Sequence, residues 1–204
     1  GCGRKPYFDA FAHRVDRYIG IDMVSSLYGI SQVDVFATAL NLPFPADSFD
    51  TVLCTEVLEH VPEPWNMVKE LARVLRLSGI LILSAPHCSP LHEEPYDFFR
   101  YTCFGVKRLL EQAGFTVESI RPRGDLWTVI GYHLSTWIGS SVIQGLLSGR
   151  TKRALLSSIF VLPMCAAIQL VSALMTMVFR NDRSTLGNVV VARRAICPHP
   201  SLKS

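Results

Sequence analysis

Gly1-Cys2-Gly3-Arg4-Lys5-Pro6-Tyr7 stands at the head of the sequence, and Tyr18-Ile19-Gly20-Ile21-Asp22 follows it. A glycine turn, room for a helix, then a short apolar run ending in an acid about twenty residues on is the pattern of the nucleotide-binding half of a doubly wound α/β sheet. Glycines let the backbone approach a ligand, and the acid accepts hydrogen bonds from ribose hydroxyls. Such a turn ordinarily follows a buried strand. None precedes Gly1 in this sequence, so the pattern reads as cut at its own first strand. We therefore expect a sheet with a gap or a frayed centre at Gly1, and weak ligand binding by the chain as it stands.

Outward from this turn, strands and helices alternate. Val33-Asp34-Val35-Phe36 reads as a short strand, Leu42 to Ser48 as a loop with two prolines, and Phe49 to Cys54 as a buried strand. Pro64 to Arg76 has helical periodicity with proline in its first turn. Gly79 to Ser84 is a near-continuous apolar run, as a parallel strand covered on both faces requires. A helix over Phe104 to Ala113 is stopped by Gly114, and a strand follows over Phe115 to Ile120. Gly187 to Arg193 reads as one more strand. The expectation is an α/β fold with a mainly parallel sheet.

The totals bound the class. At 204 residues, one α/β domain with an appendage is the natural size. With 20 basic against 17 acidic residues, total charge gives no reason to invoke nucleic acid. The six cysteines show no CxxC pairing, which suits free thiols in a reducing compartment better than a disulfide framework or a zinc site. The hydrophobic share of 49% is high, and it is concentrated: residues 126–149 and 154–179 contain no Asp, Glu, Lys or Arg.

The block Leu42-Pro43-Phe44-Pro45-Ala46-Asp47-Ser48-Phe49-Asp50-Thr51-Val52-Leu53-Cys54-Thr55-Glu56-Val57-Leu58-Glu59-His60-Val61 adds specificity. Together with Gly1-Cys2-Gly3 and Ile21-Asp22 it resembles the class I S-adenosylmethionine-dependent methyltransferases of the type 11 group. The resemblance covers residues 1–123 and the strand at 187–194. It implies a Rossmann-like fold with S-adenosyl-L-methionine as cofactor. Gly1, Cys2 and Gly3 would face the methionine part of the cofactor, and Asp22 with Met23 the ribose. Thr38 and Ala39 would lie by the adenine, and Thr55 and Glu56 would close near the methyl. Lys5 in place of a third glycine, Thr38 in place of an adenine-side acid, and Leu77-Ser78-Gly79 in place of Pro-Gly-Gly are departures from the family pattern.

The run His92 to Thr102 resembles a sub-group associated with sugars or lipid-linked intermediates. Here the acceptor would approach. His92 is the candidate general base, because its unperturbed pKa lies near operating pH. Asp97 would orient it, with His60, Tyr96, Arg100 and Tyr101 facing the substrate. The plainer reading is a folded loop held by an Asp97–Arg100 pair. Glu56, Glu59 and His60 at i, i+3 and i+4 would share one helix face. With His92 they would suit a divalent metal, whereas the plainer reading has Glu59 and His60 bracing the helix.

The sequence thus divides into a methyltransferase domain at 1–123 plus 187–195, an apolar helical insertion at 124–186, and a disordered tail at 196–204. The insertion would lie in a membrane interface, cap the domain, make a homodimer, or span a bilayer. Cytoplasmic residence follows, with attachment to the inner face of the membrane if the insertion meets lipid. The expected function is methyl transfer to an oxygen of a small or lipid-linked acceptor. The alternative is a non-catalytic, membrane-associated or oligomerising module with a decayed cofactor site.

Overall fold

The computed structural model describes residues 1–24 and 31–196. Among these, twelve elements follow in order. They are α1 (Phe8–Phe11), β1 (Ile21–Asp22), β2 (Val35–Phe36), β3 (Phe49–Thr55), a 3-10 turn (Leu58–His60), α2 (Pro64–Val74), β4 (Leu75–Pro86), α3 (Cys103–Gln112), β5 (Phe115–Pro122), α4 (Leu126–Leu147), α5 (Thr151–Val178) and β6 (Gly187–Arg194). The chain forms two compact units. One comprises Gly1–Ala85, Glu93–Arg121 and Val189–Ser204; the other comprises Pro86–His92 and Pro122–Asn188. The tail expected to be disordered lies, apart from Ile196, outside the described residues.

The α/β reading holds, and the sheet is in two parts. β1 and β2 form a parallel pair, while β3, β4, β6 and β5 form a four-stranded sheet in that order. The β1 side also carries the first residues of the chain. The Cys2 amide donates to Ile21 O at 2.8 Å. A Cβ placed on Gly1 would come 2.8 Å from Val57 Cγ2, just beyond β3. Gly1 and Cys2 therefore lie where the two parts face each other.

The core of the first unit forms between α2, α3 and the larger sheet. Pro64, Met67, Val68 and Leu71 recur at helical spacing, and all are buried. They pack with Leu81 and Leu83 of β4, Val106 and Leu110 of α3, and Val190 of β6. Each buried leucine contributes about 2 kcal/mol relative to exposure. Thr102 caps α3 by accepting from the Gly105 amide at 3.0 Å. Gly114, at φ 87, turns the chain into β5.

Two expectations need correction. β4 starts at Leu75, directly after α2, and not at Gly79. The pairing of β3 with β4 runs Phe49↔Leu75 and then Thr51↔Ile80, so the extra residues of β4 are taken up in a bulge. Ser78 sits there at φ 61, and a Cβ on Gly79 would meet Arg76 O at 2.8 Å. Glu56, Glu59 and His60 do not share a helix face either. Glu56 has φ 52, and only Leu58–His60 make a short 3-10 turn.

The Leu42–Phe44 loop is clasped to α2. The Arg73 guanidinium donates to Phe44 O at 2.8 Å, to Leu42 O at 3.1 Å and to both carboxylate oxygens of Glu70. Glu70 in turn accepts from the Leu42 amide at 2.8 Å. The Arg73 fork holds Glu70 below the usual carboxylate range, and the Leu42 amide adds to this.

The second unit is built on a helical hairpin. α4 has 22 residues and α5 has 28, with Ser148, Gly149 and Arg150 between them. Asp125 caps α4, its Oδ1 accepting from the Thr128 amide at 3.0 Å. Thr176 near the end of α5 donates to the same oxygen at 2.8 Å, closing the base of the hairpin.

Candidate functional site

The glycine turn and the acid after β1 are joined. The Gly3 amide donates to Asp22 Oδ2 at 2.7 Å, and the Met23 amide donates to Oδ1 at 2.8 Å. Asp22 is buried, whereas the Met23 side chain is exposed. Gly3 has φ 49, a conformation that a side chain disfavours. The turn thus brings its backbone and a carboxylate together at the carboxyl end of a parallel strand, where ligands of open α/β sheets bind.

Lys5 behaves differently from what its departure from the glycine pattern suggested. It takes φ 50 itself, and its ammonium pairs with Asp34 Oδ2 at 2.5 Å. Its stem runs over Gly20, where a Cβ would fall 2.4 Å from Lys5 Cε and 2.9 Å from Cys2 Sγ. The Gly20 amide also donates to Asp34 Oδ2 at 2.6 Å. That amide, with Lys5, holds the Asp34 carboxyl below its ordinary range. Burial pushes the Cys2 thiol up, and Asp22 adds to the shift. Cys54, fully enclosed, is pushed up to about 12. Both shifts disfavour the thiolate form.

At the end of β3, Thr55 pairs with Ser84 of β4. The Ser84 hydroxyl donates to Glu56 Oε1 at 2.7 Å, which fixes the Glu56 carboxylate beyond the strand ends. Ser84 escaped sequence reasoning because its partner is 28 positions away; only the pairing of the two strands brings them together. Thr38 makes an isolated bridge with Asn41, and its hydroxyl accepts from the Leu40 amide at 3.3 Å. Ala39 packs against the core.

In the acceptor loop, Arg100 donates to both oxygens of Asp97, each at 2.6 Å. The Asp97 side chain is only 1% exposed. This hydrogen bonding raises the Arg100 guanidinium further above its ordinary value. The pair forms a bidentate clasp within the loop. Tyr101 donates to Leu58 O at 3.3 Å, and burial pushes its phenol up. Tyr96 has an exposed ring, and its carbonyl meets His60 Nδ1 at 2.8 Å. A carbonyl only accepts, so Nδ1 of His60 carries a proton. Its Nε2 lies 3.8 Å from Oε1 of the buried Glu59 and 4.0 Å from Glu93 Oε2. His92 belongs to the second unit, with Nδ1 3.2 Å from Pro90 O. By the same logic Nε2 is the basic nitrogen of the neutral ring.

Glycine turn, buried acid and fixed glutamate lie at strand ends, and residues 1–83 match the family model described as a methyltransferase domain. Over this segment the chain is similar to the class I S-adenosylmethionine-dependent methyltransferases. Among its relatives is a protein of Mycolicibacterium smegmatis named a probable S-adenosylmethionine-dependent methyltransferase. It is 32% identical over 130 residues, covering 58% of this chain and 51% of that protein. The ubiquinone biosynthesis O-methyltransferase of Paracidovorax citrulli is 34% identical over 97 residues, covering 41% and 40% of the two chains. The crystal structure of the [4+2]-cyclase SpnF superposes with a TM-score of 0.55 at 19% identity, covering 97% of this chain and 73% of that one. This likeness shows the methyltransferase-family fold alone. The chain spans about a third to a half of the length of the curated relatives it matches.

The residues present fit the cofactor of the family. Gly3 takes a left-handed φ of 49 that bares its backbone at the turn, and Asp22 offers a fixed carboxylate for ribose hydroxyls. Sequence reasoning also pointed to a divalent metal held by Glu56, Glu59, His60 and His92. The helical spacing behind that set is absent and Glu56 is directed to Ser84, but Glu59 and His60 remain neighbours, Oε1 lying 3.8 Å from Nε2.

Proposed function

We propose that the chain transfers a methyl group from S-adenosylmethionine to an oxygen of a small or lipid-linked acceptor. The Gly3–Asp22 hydrogen bond carries this reading, because it sets the glycine turn and the ribose-binding acid in fixed relation. When bound, the cofactor supplies an electrophilic methyl on a sulfonium. Asp22 would hold the ribose hydroxyls, and Glu56, oriented by Ser84, would close the site near the methyl. His92 Nε2 would take the proton from the acceptor hydroxyl as the oxygen attacks. Similarity to an O-methyltransferase of quinone biosynthesis supports oxygen as the methylated atom.

The fold it shares with a [4+2]-cyclase favours keeping a second reading, a cofactor-binding module that transfers no methyl group. Incubation with radiolabelled cofactor and a panel of phenols, sugars and polyprenyl-linked sugars tests both. Label appearing in an acceptor, and lost in Asp22→Ala, supports transfer. Binding of cofactor without label transfer across the panel supports the module.

A further inference from the structure

The hairpin of the second unit is inside out compared with a helix pair in water. Several of its polar side chains face the partner helix. Gly131, Ser135 and Gly139 form one ridge of α4 at every fourth position. Against it lie Cys165, Gln169 and Ser172 of α5. The Gln169 amide donates to Gly131 O at 3.1 Å and to Ser135 Oγ at 2.7 Å. Cys165 Sγ meets Ser135 O at 3.4 Å, and a Cβ on Gly131 would fall 2.2 Å from Ser172 Oγ. Several outlying hydroxyls are satisfied within their own helix: Ser140 by Trp137 O, Ser141 by Ile138 O and Ser158 by Leu155 O, each at 2.7 Å.

The outer surface is largely apolar, with Thr136, Ser141, Gln144 and Ser157 among its exposed polar side chains along the helices. Trp137, Phe160, Leu170 and Met177 are exposed, Phe160 by 78% and Met177 by 81%. Leu155–Val178 is long and apolar enough to cross a membrane. A helix polar on one side would lie flat on a membrane; one largely apolar all round asks for immersion. Charge is confined to the two ends: Arg150-Thr151-Lys152-Arg153 at the tip, and Arg123, Arg180 and Arg183 at the base. At 1.5 Å per residue the 22 residues of α4 reach about 33 Å, against a hydrocarbon layer of about 30 Å.

We propose that the α4–α5 hairpin inserts into a lipid bilayer, with its base at one headgroup layer and its basic tip at the other. Internal pairing of the polar groups is what hydrocarbon demands, and small residues at the crossing allow the close approach that holds helices together in lipid. The terminal cations meet lipid phosphates at each face.

The full chain, synthesised in the presence of sealed phosphatidylcholine and phosphatidylglycerol vesicles, tests this without reference to methyl transfer. Flotation after an alkaline carbonate wash is the expected result. External trypsin should then leave the bonds after Arg150, Lys152 and Arg153 intact until detergent opens the vesicles. Protein that stays in the aqueous fraction as monomer or dimer, that carbonate releases, or whose tip is cut in sealed vesicles overturns the proposal. Phe160→Lys/Leu170→Lys, both on the outer surface, should lower vesicle partition by about a hundredfold or more; unchanged partition would also overturn it.

Discussion

The amide of Gly3 donates to the Asp22 carboxylate across 19 positions of sequence, and this one bond at 2.7 Å joins the glycine turn to the end of β1. Removing the carboxylate takes away the anchor of the turn and, in the proposed function, the acceptor for ribose hydroxyls. Asp22→Ala should therefore weaken S-adenosylmethionine binding by roughly ten- to a hundredfold, the worth of hydrogen bonds to a charged group. Isothermal titration calorimetry reads this directly. Unchanged affinity would remove Asp22 from the site.

In the proposed function Ser84 would act through Glu56, whose carboxylate it holds. Ser84→Ala removes one hydrogen bond, about 1 kcal/mol, and leaves Glu56 free to rotate. The expected outcome is a fall of several-fold in cofactor affinity with little change in melting temperature. Ser84→Thr, which keeps the hydroxyl, should restore most of it.

The Asp97–Arg100 clasp makes a separate prediction. Arg100→Ala leaves a nearly buried carboxylate without its fork, a change that costs about 3 kcal/mol. A marked fall in melting temperature is expected. The double variant Asp97→Asn/Arg100→Ala should recover part of it, because position 97 then carries no charge that needs the fork. Loss of acceptor binding at full stability would instead place Arg100 on the substrate.

Glu70 sets an acid limit. Its folded pKa is depressed by Arg73 and the Leu42 amide, so its contribution is present above the unfolded glutamate value of about 4.3. It is lost as pH falls through the folded value, since the unfolded chain then binds the extra proton. Melting temperatures of the wild type should fall between neutral pH and pH of about 3.5, and Glu70→Gln should flatten that part of the curve. Parallel curves would show that Glu70 does not set the acid limb.

Much of this was legible before any coordinates. The runs at 49–54 and 79–84 are strands as expected, but only the second is largely buried. In the first, Asp50 and Thr51 are exposed and Cys54 alone is buried, because that strand is less covered than a continuous apolar run suggests. What escaped depends on backbone conformations and partners that spacing does not encode. Glu56 was expected on a helix, yet its left-handed φ of 52 ends any helix there before it begins. The Arg73 fork on the Leu42–Phe44 loop and the Ser84 hydroxyl on Glu56 each join residues 28 or more positions apart. The inward polar face of the hairpin was hidden for a different reason. Polar residues such as Thr136, Ser141 and Gln144 fall on other sides of α4 as well, so no periodicity marks the crossing; the packing of Gly131 against Ser172 and the hydrogen bonds of Gln169 reveal it.

Lys5 and Gly20 share one small volume, the Lys5 stem standing where a Cβ on Gly20 would be. Position 20 is not free to vary while Lys5 stands over it. A chain that gains a side chain at 20 must first shorten residue 5, and with it give up the pair to Asp34. In descent, the two positions should therefore change in a fixed order: lysine lost before glycine. Proteins in which position 20 has diversified would be ones with a small residue at position 5 and room made at position 2 as well.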